Sequence, residues 1–348
     1  GSGSLGTAVT TATANVAIGE NAGDALTTGL RNTLVGDNSG GAVTIGSNNV
    51  AIGRNSLDAE VAGSLSVAVG TGTLTAQSFS TATDVYNTAV GHAAGNAVTT
   101  GTQNTLIGGL NGDALTEGAV NVAVGYGALT SDTLGSKSVA LGHTTLANQN
   151  FTTATDSFNT AVGHSAGSAV TTGVQNTIVG GLAGDALTTS NNSVAIGYAA
   201  LSANTGNAGN TAVGMTALQA FNVSTGSAYN TAVGAAAGVA ITTGINNTIV
   251  GGLAGDALTD ADYNVAVGHL ALGSDTLGSN SVAIGRSALE SQNFATATDA
   301  YNVAVGRSAG VSITTGINNI LIGGLAGDAL TDADYNTAIG QQSLSADT

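Results

Sequence analysis

The sequence predicts an all-β chain, a parallel β-solenoid of about nineteen coils, and three observations predict it. A short unit of the form Asn-x-Ala-Val-Gly recurs at a nearly constant step along the chain. The residues ahead of each repeated glycine alternate with period two and are rich in β-branched types. The composition has too few bulky side chains for a conventional globular core of 348 residues.

The repeated glycine stands at 19, 36, 53, 70, 91, 108, 125, 142, 163, 180, 197, 214, 234, 251, 268, 285, 306, 323 and 340, which makes nineteen units. Most steps are 17 residues; those from Gly70, Gly142 and Gly285 are 21, and the step from Gly214 is 20. Four units therefore form a block of about 72 residues. The block is visible in Gly108 to Thr116, which returns as Gly180 to Thr188, Gly251 to Thr259 and Gly323 to Thr331. A repeat of this kind is one supersecondary unit that buries its apolar side only by stacking on its neighbours. Residues 1–14 read as a lead-in and 15–348 as one continuous repeat rod.

The residue before each glycine is aliphatic, from Ile18 to Ile339, and two residues earlier stands Val or Thr, with Ile320 the exception. This alternation is expected to place the Val and Ile column in the coil interior. The position between them is mostly Ala, but Leu34, Leu106, Ile178, Ile249 and Leu321 once per block. Both faces of the strand are thus apolar, which predicts lateral association of several chains, most simply three. Glycine then ends the strand at a turn or a close backbone approach. A helix is excluded, since one or more glycines per unit would each cost about 1 kcal/mol.

Four residues before the glycine stands Asn in fifteen units and Ser in four, namely Ser66, Ser138, Ser193 and Ser281. Stacked amides can bond along the axis as a ladder, or Asn can simply suit the turn into the strand.

Asn15-Val16-Ala17-Ile18-Gly19, Asn159-Thr160-Ala161-Val162-Gly163, Ser193-Val194-Ala195-Ile196-Gly197 and Ser281-Val282-Ala283-Ile284-Gly285 resemble the head repeats of YadA-type trimeric autotransporter adhesins. They are also similar to repeats in fibre proteins of tailed phages. The resemblance runs from about Asn15 to the end and implies a trimeric parallel β-roll used for surface attachment. The coil here is longer than the usual adhesin repeat, and every fourth coil grows. No neck, stalk or membrane anchor chooses between adhesin and phage fibre. Neither end carries a polar cap, so the expectation is a segment of something longer.

The formal charge is −16, with Lys137, Arg31, Arg54, Arg286 and Arg307 as the only fixed cations. Nucleic acid needs clustered cations, which are missing, and an anionic membrane surface would repel the chain. Cysteine is absent, and no apolar run approaches a membrane span. Taken with the resemblance, the expectation is an extracellular, non-enzymatic fibre segment that needs no cofactor. Its expected partners are its own copies and a cell-surface receptor or glycan.

Candidate sites are few. The run from Gly108 to Leu115 resembles the calcium-binding nonapeptide, with Asp113, Asp185, Asp256 and Asp328 as weak ligand candidates four coils apart. A glycine-rich turn with a solvated Asp is the plainer reading. His92, His143, His164 and His269 each follow a repeat glycine at a position that elsewhere holds Ala235, Arg307, Tyr126, Tyr198 or Arg286. They read as variable outward residues. No nucleophile–base set or phosphate loop can be assembled. Thr pairs such as Thr27-Thr28 and Thr99-Thr100 raise ice binding, but they recur only once per block. The long coils, 71–90, 143–162, 215–233 and 286–305, are the expected protrusions. Their aromatic pairs are Phe79 with Tyr86, Phe151 with Phe158, Phe221 with Tyr229, and Phe294 with Tyr301. Each pair either anchors its bulge or offers an exposed contact for carbohydrate.

Overall fold

The computed structural model describes residues 11–206, 208–223 and 226–346, so most of the 1–14 lead-in lies outside the described residues. The chain divides into two compact units between Gln175 and Asn176. Both are β-solenoids, and among the described residues there is no helix.

The first unit stacks nine three-residue strands, from Val16–Ile18 to Thr160–Val162, and the second stacks ten, from Thr177–Val179 to Thr337–Ile339. Neighbouring strands are parallel and in register, as Val16 with Thr33, Ala17 with Leu34 and Ile18 with Val35. The repeat therefore sets the register directly: each sequence column becomes a spatial column. Beside three of the long coils a second, two-residue pairing forms: Gly63–Ser64 with Thr83–Asp84, Gly135–Ser136 with Thr155–Asp156, and Gly278–Ser279 with Thr298–Asp299. In the remaining long coil a single bridge, Ala208 to Ser227, stands in its place.

The strand-ending glycines are fixed by contact as well as by conformation. Gly53 has φ +132°, and a Cβ there would lie 2.4 Å from the carbonyl oxygen of Gly70 in the next coil. No other residue fits that approach.

The inside and outside of the strands are the reverse of the sequence expectation. Ala51, Ala68, Ala89 and Leu106, the middle residues, are fully buried, whereas Ile52 and Ile107 are each 39% exposed. Alternation alone permits either phase, and the width of the coil decides. Side chains four and seven residues after the glycine also point inward, so the facing strand position must be small. The core swaps volume between these positions. Where Leu stands four residues after the glycine (Leu57, Leu74, Leu129, Leu146), the seventh position is polar and the strand centre is Ala. Where Gly stands there (Gly40, Gly112), the seventh position is aliphatic (Val43, Leu115) and Leu34 or Leu106 fills the space from the strand. A Cβ at Gly40 would come 2.7 Å from Leu34 Cδ2. Coils of the two kinds come in pairs, and this is the physical origin of the four-coil block.

The Asn column bonds to backbone of the neighbouring coil more than to itself. Asn49 N donates to Asn32 Oδ1 at 2.9 Å, and Asn49 Nδ2 donates to the Gly63 carbonyl at 2.9 Å. Ser66 N then donates to Asn49 Oδ1 at 2.9 Å. Each amide ties successive coils while satisfying buried backbone groups.

Candidate functional site

Among the described residues there is no concave pocket, and no group of three or more His, Cys, Asp or Glu side chains is placed to hold a metal ion. Of the four calcium candidates, Asp113 accepts a hydrogen bond from Thr130 Oγ1 at 2.5 Å. Burial raises the carboxyls of Asp185 and Asp256 above the usual range, and the His269 charge partly opposes this at Asp256. The Oδ1 atoms of Asp256 and Asp328 are buried with no hydrogen-bond partner.

A repeating buried carboxylate cluster occupies the polar coils and escaped sequence reasoning. Glu60 Oε1 accepts from Val61 N at 2.8 Å, Ala62 N at 3.0 Å and Gly63 N at 2.6 Å, while Oε2 accepts from Gln77 Nε2 at 2.8 Å. Gln77 Nε2 also donates to Ser66 Oγ, and Gln77 Oε1 accepts from Asn87 Nδ2. Asp132 with Gln149, Ser138 and Asn159 repeats this arrangement, as does Asp275 with Gln292, Ser281 and Asn302. Burial raises Asp132 and Asp275, against the lowering effect of the glutamine and backbone donors. Glu60, Asp132 and Asp275 are fully buried, so the clusters are closed to a substrate and hold the long coil to its neighbour. The signal was present: Ser replaces Asn at 66, 138 and 281 just where the next coil supplies Gln.

The aromatic pairs separate. Phe151 and Phe294 are 5% exposed and Phe79 is half-buried, so these rings pack into the bulge. Tyr86, Phe158 and Tyr301 are each more than half exposed, as is Tyr229 at 64%. Phe221 is not the counterpart of Phe79. It stands seven residues after its glycine, in the glutamine column, and is fully buried, as is Asn204 in the same column one coil earlier. That coil is one residue shorter, which hid the offset. The exposed aromatics share one corner five residues before the strand glycine, where every described non-glycine residue has φ near +55°, from Arg31 to Tyr335.

The position after the repeat glycine gathers most of the basic side chains: Arg54, His92, His143, His164, His269, Arg286 and Arg307. Tyr126 stacks on His143 with ring centres 5.6 Å apart, and His143 stacks on His164 at 5.2 Å. Their Nδ1 atoms are linked through Thr144 Oγ1 and Ser165 Oγ. The Lys137–Asp156 ion pair is exposed and contributes little.

The most extended surface feature is the outward strand face. Its two columns are Val or Thr, with Ile320 once, and Val or Ile, with Leu141 once; Val233 is 36%, Ile284 38% and Ile322 38% exposed. A regular stack of parallel coils, each set in register on the next, defines a β-solenoid repeat protein. No family model, curated protein or solved structure matches the chain.

Proposed function

We propose that this chain is a non-enzymatic structural and adhesive segment of an extracellular fibre, whose copies associate side by side, most simply as a homotrimer. The observation that carries this reading is the outward Val/Thr/Ile face. Its side chains are not needed to fill the coil, yet the column before the glycine is aliphatic in every coil and the other is Val or Ile in ten of nineteen, and monomers rarely leave such a surface open. The YadA-type and phage-fibre resemblance supports the same assembly and an attachment role, as adhesin or as tail-fibre shaft. The acidic balance and scarcity of cations disfavour nucleic acid and anionic membranes as partners. No helix among the described residues is long and apolar enough to cross a membrane.

The test is a pair of outward substitutions, Ile107→Lys with Val124→Lys. Association should be lost while the β circular-dichroism signature persists; unchanged association would remove this face as the interface. A second reading rests on the same face. Nine strands carry Thr at the first outward position, and a flat uncovered lattice of Thr, Val and Ile suits ice. Thermal hysteresis by a monomeric chain would favour that reading over the fibre.

A further inference from the structure

Seven consecutive coils of the second unit carry an alternating column at the left-handed corner: Tyr229, Asn246, Tyr263, Asn280, Tyr301, Asn318 and Tyr335. The backbone is the same at each, with φ between +49° and +61°. Asn tolerates this conformation well and a bulky aromatic residue does so poorly. Tyrosine in every second coil is therefore not a requirement of the corner. Nor does it fill the core: the four tyrosines are 64%, 56%, 53% and 75% exposed. The Tyr229 ring lies against Gly209, its counterpart one coil earlier, where a Cβ would stand 2.9 Å from Cδ1. That ring lies beside the corner of the preceding coil and still leaves 64% of its surface exposed.

The strands beside these corners pair in unbroken succession from Thr231–Val233 to Thr337–Ile339. Two coils at the parallel-strand spacing separate successive tyrosines by about 9.6 Å. This is close to the rise of one disaccharide in an extended β-1,4-linked polysaccharide, in which every second sugar presents the same face. Carboxylates accompany the rings. Asp262 and Asp334 each accept a backbone N–H, from Ile245 and Ile317 at 2.7 Å, and Asp299 accepts from Asn280 Nδ2 at 2.8 Å. Fixed carboxylates on an acidic chain disfavour anionic polymers and suit neutral sugar hydroxyls.

We propose that Tyr229, Tyr263, Tyr301 and Tyr335 form a linear platform for an extended, neutral β-1,4-linked polysaccharide of the cellulose or chitin type. Sugar rings stack on the tyrosine faces at every second residue, and the Asn side chains between them bond to hydroxyls. Tyrosine offers large contact area with little rotamer entropy to lose. The platform gives the attachment role a ligand class, and it rests on the adhesive part of that reading only, not on the trimer.

The test is depletion of the full chain by microcrystalline cellulose, chitin, granular starch and alginate gel. Variants are Tyr263→Asn, Tyr301→Asn and their double, which install the residue this column already uses at the same backbone angles. Tyr86→Asn in the first unit, outside the alternating array, is the control, and circular dichroism checks each fold. Retention on cellulose or on chitin is expected, and the matrix that retains identifies the sugar. The double variant should lose about tenfold in affinity, and the control less than about twofold. Failure of both cellulose and chitin to retain the chain, equal or exclusive retention on starch or alginate, or undiminished retention of the double variant would overturn the platform. The mass of the same samples is measured in parallel, so an intact assembly that ignores polysaccharide counts against the platform alone.

Discussion

Replacing Asp132 by Asn puts an amide nitrogen where Oδ2 accepts from Gln149 Nε2 at 2.6 Å. Two donors then face each other. Gln149 cannot relieve this by turning over, because its Oε1 accepts from Asn159 Nδ2 at 2.9 Å. The loss of one charge-assisted bond and the stranding of a buried donor should cost about 1–3 kcal/mol, reduced by removal of a poorly solvated charge. Gln149→Glu alone sets two carboxylates against each other in a closed site and should cost about 3 kcal/mol or more at neutral pH. The double variant Asp132→Asn/Gln149→Glu reverses the polarity of that bond and keeps the pair matched. The introduced amide donates, the introduced carboxylate accepts both from it and from Asn159, and Ser138 turns its hydroxyl to that carboxylate. The double variant should recover to within about 1 kcal/mol of the starting protein, a coupling of about 3 kcal/mol. Solenoid stability is local, so the readout is hydrogen-exchange protection across residues 132–162, alongside the thermal melt. Additive losses in the cycle would refute the cluster as the tie between these coils.

Leu106→Ala should cost about 3 kcal/mol by opening a cavity at a fully buried site. Ile107→Thr, one residue on, should change the melt of dissociated protein by less than about 0.5 kcal/mol; the opposite order would restore the inward Ile column. Acid should favour the fold. Asp58, Asp132, Asp185, Asp256 and Asp275 are all raised, burial being the first cause in each. A folded value above the unfolded one means that protonation favours the folded state. That contribution is complete below the ordinary carboxylate range and is lost as pH rises through the raised values. The melting temperature should therefore rise as pH is lowered through the raised values toward the ordinary carboxylate range, and a fall would contradict the assignment.

The coil count, the step lengths and the parallel in-register stack were legible because one glycine per coil cannot be replaced. At Gly53 and its equivalents a Cβ would strike the next coil's carbonyl. The phase of the strand was not legible, because Val16-Ala17-Ile18 alternates equally well either way. Only the exchange of Leu between the corner and the strand, as Leu74 against Leu106, shows which side is inside. That exchange lay in the sequence as a correlation between the strand centre and a position six residues on, as Leu34 with Gly40 against Ala51 with Leu57. The buried clusters were hidden likewise, since Glu60, Ser66, Gln77 and Asn87 are four polar residues with no motif in common. Phe221 was misaligned because its coil is one residue short, and its burial together with the count from Gly214 places it with Gln77. The tyrosine column could have been found from spacing alone, since Tyr263 and Tyr335 share the corner with Tyr229 and Tyr301 outside the long coils.

Light scattering after size exclusion gives the solution mass of the chain and tests the outward face most directly. A stable multiple of 33.2 kDa is expected, most simply threefold, with the Val, Thr and Ile columns covered in the assembly. A stable monomer at every concentration would contradict this, leaving that face open to water and the fibre reading without its interface.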